Sequence, residues 1–129
     1  MEYPQRLFTP EEANDLLPYL KPLLEDMLHV RDRLLEIQPE LQPTLEKAIH
    51  NGNSSVSGAA LKAMKQLKEV IMEIRALGVE VKDVNRGLID FPSIRDGELI
   101  YLCWAYHEKQ VAYWHRMEEG FAGRRPILD

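Results

Sequence analysis

The chain carries a single cysteine, Cys103, among 129 residues, which excludes an internal disulfide. It is short of positive charge, with 16 Lys and Arg against 21 Asp and Glu. Neither a nucleic-acid backbone nor an anionic membrane surface therefore gains an overall attraction. Long hydrophobic runs are missing too: the longest nearly uncharged apolar stretch, Leu99 to Tyr106, falls far below the roughly 20 residues that a membrane-crossing helix needs. The opening segment MEYPQRLFTPEEAN has neither the basic nor the apolar block of a secretory signal. No repeat, low-complexity block or reaction-specifying motif appears. Together these absences lead to the expectation of a cytoplasmic protein that engages no nucleic acid and no membrane.

What is present suits one domain with one core, expected over residues 1–129 as a helical part (1–78) followed by a sheet and tail (79–129). In TPEEAN, Thr9 can cap a helix, Pro10 fits its first position and Glu12 completes a capping box. Leu17, Leu20, Leu24, Met27, Leu34 and Ile37 then recur mostly every three or four residues, with Arg31 filling one seam position. Pro18 and Pro22 each remove a backbone donor, so a kink, or a short helix followed by a second one, is expected there. QPELQPT (38–44) breaks the helix, and a brief helix should end near Asn51. NGNSSVSG reads as a flexible loop. Ser57 can cap a second long helix whose stripe is Leu61, Met64, Leu67, Ile71, Ile74 and Leu77, and Gly78 can end it with a left-handed residue. Two such helices joined by a turn can cover each other as an antiparallel hairpin.

After Gly78 the period changes. VEVKDV, RGLIDF, ELIYLCW and QVAYWHR are short, rich in β-branched and aromatic residues, and separated by turn residues at Asn85, Pro92 to Gly97 and His107 to Lys109. The expected fold class is thus α+β: a long helical hairpin with a short extra helix, packed on an antiparallel β-meander of three or four strands.

Chemistry-bearing residues crowd into Tyr101 to Pro126, which holds the only cysteine, two of the four histidines and the Arg124-Arg125 pair. A tight turn at His107-Glu108 sets Trp104 opposite Val111, Leu102 opposite Tyr113 and Ile100 opposite His115. That register puts His115 on one face of the sheet and Cys103 on the other. Cys103, His107 and His115 are zinc-ligand types, but their spacing matches no familiar zinc pattern and the register separates them, so no metal and no cofactor is expected. Cys103, between Leu102 and Trp104, reads as inert packing. His115, with Asp90, Arg124 and Arg125, is the candidate ligand-binding set: a histidine beside arginines can hold a carboxylate or phosphate and move a proton. The structural alternative makes His115 a hydrogen-bonded strand-end residue, pairs the arginines with local acids such as Glu118 and Glu119, and has Asp90 bond turn amides. GFAGRRP could close over a ligand or tie the tail onto the sheet.

FTPEEANDLLPYLKPLLEDM, GVEVKDVNRGLIDFPSIRDGELIYLCW and YWHRMEEGFAGRRP, in that order, resemble the bacterial family known as domain of unknown function 2203 (DUF2203). The resemblance implies a small soluble bacterial protein and brings no activity, cofactor or binding residue with it. Relatives carrying Gly-Glu where this chain has His107-Glu108 weigh against a role for His107.

Two functions fit this sequence. Both faces of the meander are largely apolar, which suggests cover by a second copy, and hence a non-catalytic interaction or scaffold protein working as a homodimer or higher homo-oligomer through helix faces or the two-sided sheet, with a further protein partner possible. The other is a small anionic-ligand binder or enzyme with a pocket near His115, Arg124, Arg125 and Asp90.

Overall fold

Thr9 starts the first helix in the way its sequence specifies: its hydroxyl accepts from the Glu12 amide while the Glu12 side chain accepts from the Thr9 amide. The computed structural model describes residues 4–51 and 56–128. Helix α1 (Pro10–Ile37) is continuous through Pro18 and Pro22 rather than split in two. Both prolines are exposed and four residues apart, so the missing donors fall on the solvent side. A 3-10 turn over Pro39–Thr44 leads into the short α2 (Leu45–Asn51). Half of the NGNSSVSG loop, residues 52–55, lies outside the described residues. Ser57 accepts from the Ala60 amide and opens α3 (Gly58–Ala76), and Gly78 follows it with φ +89°.

The helices run antiparallel, because Gln38 at the end of α1 bonds the amide of Ser57, while Arg6 just before α1 bonds the carbonyl of Leu77 after α3. Their facing stripes are buried, apart from the half-buried Leu77 and with two corrections. Ile37 is 41% exposed and Leu61 44% exposed. Ala60, one residue earlier, takes the seam place expected of Leu61, since the spacing that continues through Met64, Leu67, Ile71 and Ile74 starts from position 60.

Five antiparallel strands follow in sequence order, one more than the upper expectation: β1 (Glu80–Asp83), β2 (Leu88–Arg95), β3 (Glu98–Ala105), β4 (Tyr113–Arg116) and β5 (Arg125–Pro126). Pro92 was expected to open a turn but lies inside β2. Beyond the end of β1, its carbonyl accepts from the amide of Phe8 at 2.8 Å, so the ring nitrogen costs no bond to β3. The turn falls later, at Asp96 and Gly97, with φ 52° and 81°.

Ile89, Phe91, Ile100, Leu102 and Trp104 face the helices and join them in one core. Leu88, Cys103 and Ala105 form a separate apolar cluster on the other side of the sheet. No helix among the described residues is long and apolar enough to cross a membrane.

Candidate functional site

The β3–β4 connection decides which side chains meet. Val111 was expected in a strand, yet the Asn14 side chain takes the place of a neighbouring strand there, accepting from the Val111 amide at 2.7 Å and donating to its carbonyl at 3.2 Å. β4 consequently begins only at Tyr113, and Leu102 lies opposite Trp114, not Tyr113. The register differs by one residue from the expected one, and a one-residue slip turns every side chain of a strand to the other face. His115 is thereby on the same face as Cys103. The separation that argued against their acting together does not exist.

Three adjacent strands now place Asp90 (β2), Cys103 (β3) and His115 (β4) side by side on the face away from the helices, with Asp90 directly opposite Cys103. Their metal-ligating atoms all lie within 4.8 Å of one another, and the residues are 1%, 0% and 2% exposed. Asp90 bonds the His115 ring in mid-strand, instead of turn amides: Nε2 is 2.9 Å from Asp90 Oδ2. Nδ1 of the same ring is 2.8 Å from the carbonyl oxygen of Arg116. A carbonyl only accepts, so Nδ1 carries a hydrogen and the neutral ring presents its Nε2 lone pair to a carboxylate. Asp90 Oδ1 is buried without a hydrogen-bond partner.

Charge follows from these contacts. Burial alone would lower the His115 pKa, but the bonds to Asp90 and to the Arg116 carbonyl outweigh it and hold it above the ordinary value. Burial first, and then the neighbouring Asp90 charge, push the Cys103 thiol well up. Tyr101 leans on the His115 ring, with centroids 5.5 Å apart, and donates to Glu80 Oε2 at 2.7 Å. Lys82 sits 4.3 Å over the Tyr101 ring and pairs with the same Glu80 at 2.9 Å.

The two arginines of the expected site are committed elsewhere. Arg124 is stacked between the Tyr113 and Phe121 rings, at 4.2 and 4.6 Å, and pairs with Glu108 at 2.6 Å. Arg125 makes two bonds to Glu119, at 2.8 and 3.1 Å. Pairing with local acids, the alternative weighed for these arginines, describes both, although one partner is Glu108 rather than Glu118, which is exposed. His107 is exposed in the turn and takes no part. The cations that do stand beside Asp90 and His115 are Lys82 and Arg86, which sequence reasoning passed over. These four residues, with Glu119 and Phe121 among the remaining walls, line a cavity of about 430 Å³. Lys82 on alternate positions of β1 with Glu80 was the one legible signal; Arg86 lies in a turn and gave none.

Residues 6–127 match the family described as "Uncharacterized conserved protein (DUF2203)". The chain belongs to the DUF2203 family. Comparison with curated proteins and with solved structures gave no match. The DUF2203 match begins at Arg6, whose guanidinium stacks on Phe8, and ends at Ile127, whose amide bonds Ala112. It therefore includes all three α-helices, all five strands and every wall of the cavity.

Proposed function

We propose that the protein binds a small anionic ligand in the cavity on the outer face of its sheet. The observation that carries this reading is a polar pair, Asp90 and His115, buried at the base of a ligand-sized cavity that has two loosely held cations beside it. Arg86 is 3.8 Å from Asp83 and its side chain is 61% exposed. The Lys82 and Glu80 side chains are 36% and 42% exposed, with Lys82 also over the Tyr101 ring. Exposed pairs of this kind contribute at most about 1 kcal/mol, so both cations can turn to an entering carboxylate or phosphate at little cost. Arg124 and Arg125, held by Glu108 and Glu119, are not among the residues that line it.

The homo-oligomeric scaffold reading called on helix faces or on a sheet apolar on both sides. The outer sheet face is closed by the chain's own C-terminal segment: Leu88, Cys103 and Ala105 are buried without a second copy. Burial within one chain weakens the sheet-face support for that reading, and the ligand reading is the better supported.

Thermal unfolding in the presence of inorganic phosphate, malonate and succinate tests it. Ligand at about 100 times its Kd stabilises by about 2.7 kcal/mol, a readily measured rise in Tm. At least one anion should raise the Tm of the wild type, with the rise reduced in Lys82→Ala and Arg86→Ala. A wild type indifferent to all three, or a rise that both substitutions leave intact, would overturn the assignment.

A further inference from the structure

We infer that Asp90, Cys103 and His115 form a binding site for a divalent cation of the zinc class. The inference shares Asp90 and His115 with the anion reading, adds Cys103, and does not require that an anion bind.

The His115 ring supplies the first argument. Its Nδ1 hydrogen is fixed by the Arg116 carbonyl, so Nε2 and Asp90 Oδ2, 2.9 Å apart, are two acceptors facing each other. With the ring neutral this contact is unsatisfied; a proton on Nε2 satisfies it, and so does a metal ion that takes the place of that proton between or beside the two atoms. A backbone carbonyl on the far nitrogen is also the usual device that orients a histidine for binding metal through Nε2. Asp90 provides the second: its Oδ1 has no partner although the residue is 1% exposed. A buried carboxylate oxygen without a donor is costly, and a metal ion would satisfy it. Cys103 completes the set. All three ligand atoms lie within 4.8 Å of one another; tetrahedral zinc with bonds of about 2.0–2.3 Å needs ligand separations of roughly 3.3–3.8 Å, so the 2.9 Å Nε2–Oδ2 pair must open slightly and any longer pair close, changes that small side-chain rotations can supply.

The donor set selects the metal. Thiolate and imidazole favour zinc and its borderline neighbours over magnesium or calcium, which take oxygen. One thiolate and one carboxylate neutralise a divalent ion, which suits a site this deeply buried. Three protein ligands leave a fourth position free, the arrangement of reactive rather than purely structural zinc sites. Asp90 and His115 line the cavity, so that position can open toward it.

The test uses the full chain, stripped with a chelator and titrated with cobalt(II), then with zinc in competition. One equivalent of cobalt should bind per chain, with tetrahedral d–d bands and a thiolate-to-cobalt charge-transfer absorption, and zinc should displace it. Cys103→Ser, nearly the same size as the original, should abolish the charge-transfer absorption while circular dichroism shows an intact fold. Asp90→Asn should weaken binding by more than about 100-fold, the upper end of the loss caused by removing an outer partner of a metal ligand. Wild type that binds no cobalt or zinc overturns the inference. So does cobalt bound without the charge-transfer absorption, which would place it on other histidines or carboxylates, and so does an absorption that survives Cys103→Ser.

Discussion

Glu119 accepts three hydrogen bonds at once, two from Arg125 and one from the Arg116 amide. They favour the charged form and hold its carboxyl at about 2, below the ordinary 4.5. A carboxyl depressed on folding stabilises the protein above its unfolded pKa and loses that contribution as pH falls through its folded value. The window runs from 4.5 down to about 2. Glu119→Gln should therefore show a flatter fall of Tm across this range than the wild type, and the two curves should be furthest apart near neutral pH. Parallel curves would mean that the carboxylate is no better held in the folded chain than in the unfolded one. Local residue chemistry of this kind was partly legible. The caps at Thr9 and Ser57 and the left-handed Gly78 follow from a few adjacent residues, and the sequence shows them. The Asp90–His115 pair is different: both residues stood out as candidates, but their contact depends on two strand registers. Cys103 reads as inert packing between Leu102 and Trp104, and as no metal ligand both from its spacing and from a register that proves wrong by one residue.

At the scale of elements, the registers themselves have identifiable causes. The β2–β3 hairpin is set by a two-residue turn in which Asp96 and Gly97 both take positive φ, the mirror-image turn that matches strand twist. A Cβ at Gly97 would meet nothing within 4 Å. Gly97→Ala should thus cost only the left-handed backbone penalty, about 1–2 kcal/mol, seen as a Tm lower by several degrees. Gly58→Ala, equally open but at the start of α3 without a positive φ, should cause no loss. Equal losses at the two sites would show that the turn is not what fixes the hairpin. Between β3 and β4 no short turn rule applies. Glu108 accepts from the Ala105 amide at 2.7 Å, the Trp104 ring donates to the Glu108 carbonyl, and Asn14, 97 residues away from Val111 in the chain, holds that residue out of the ladder. Alternation of side chains predicts strands well but carries no record of such a distant partner, which is why the expected tight turn missed the register. The helix stripes, being periodic over many residues, were read with only their end positions displaced.

Across the whole molecule, the order of helices followed by strands was plain from the change in period, whereas the cover on the outer sheet face was not. Phe121 sits between the guanidinium groups of Arg86 and Arg124, Arg124 also donates to the Cys103 carbonyl, and β5 pairs with β4. GFAGRRP thus ties the tail onto the sheet, one of the two roles its composition allowed, and in doing so it closes the wall over Cys103. The closure has a measurable consequence. In metal-free native protein, Cys103 is 0% exposed and should react with a thiol reagent only after the segment lifts or the chain unfolds. Arg124→Ala removes the ion pair to Glu108 and the stacking on both Tyr113 and Phe121, while touching no residue of the helical core. If the segment opens as a unit, labelling of Cys103 in Arg124→Ala should accelerate by more than about tenfold, which corresponds to about 1.4 kcal/mol less opening free energy. Global stability measured by urea should fall by less than that. An acceleration that merely matches the loss of global stability would show instead that the tail and sheet unfold together, with no separate opening of the outer face.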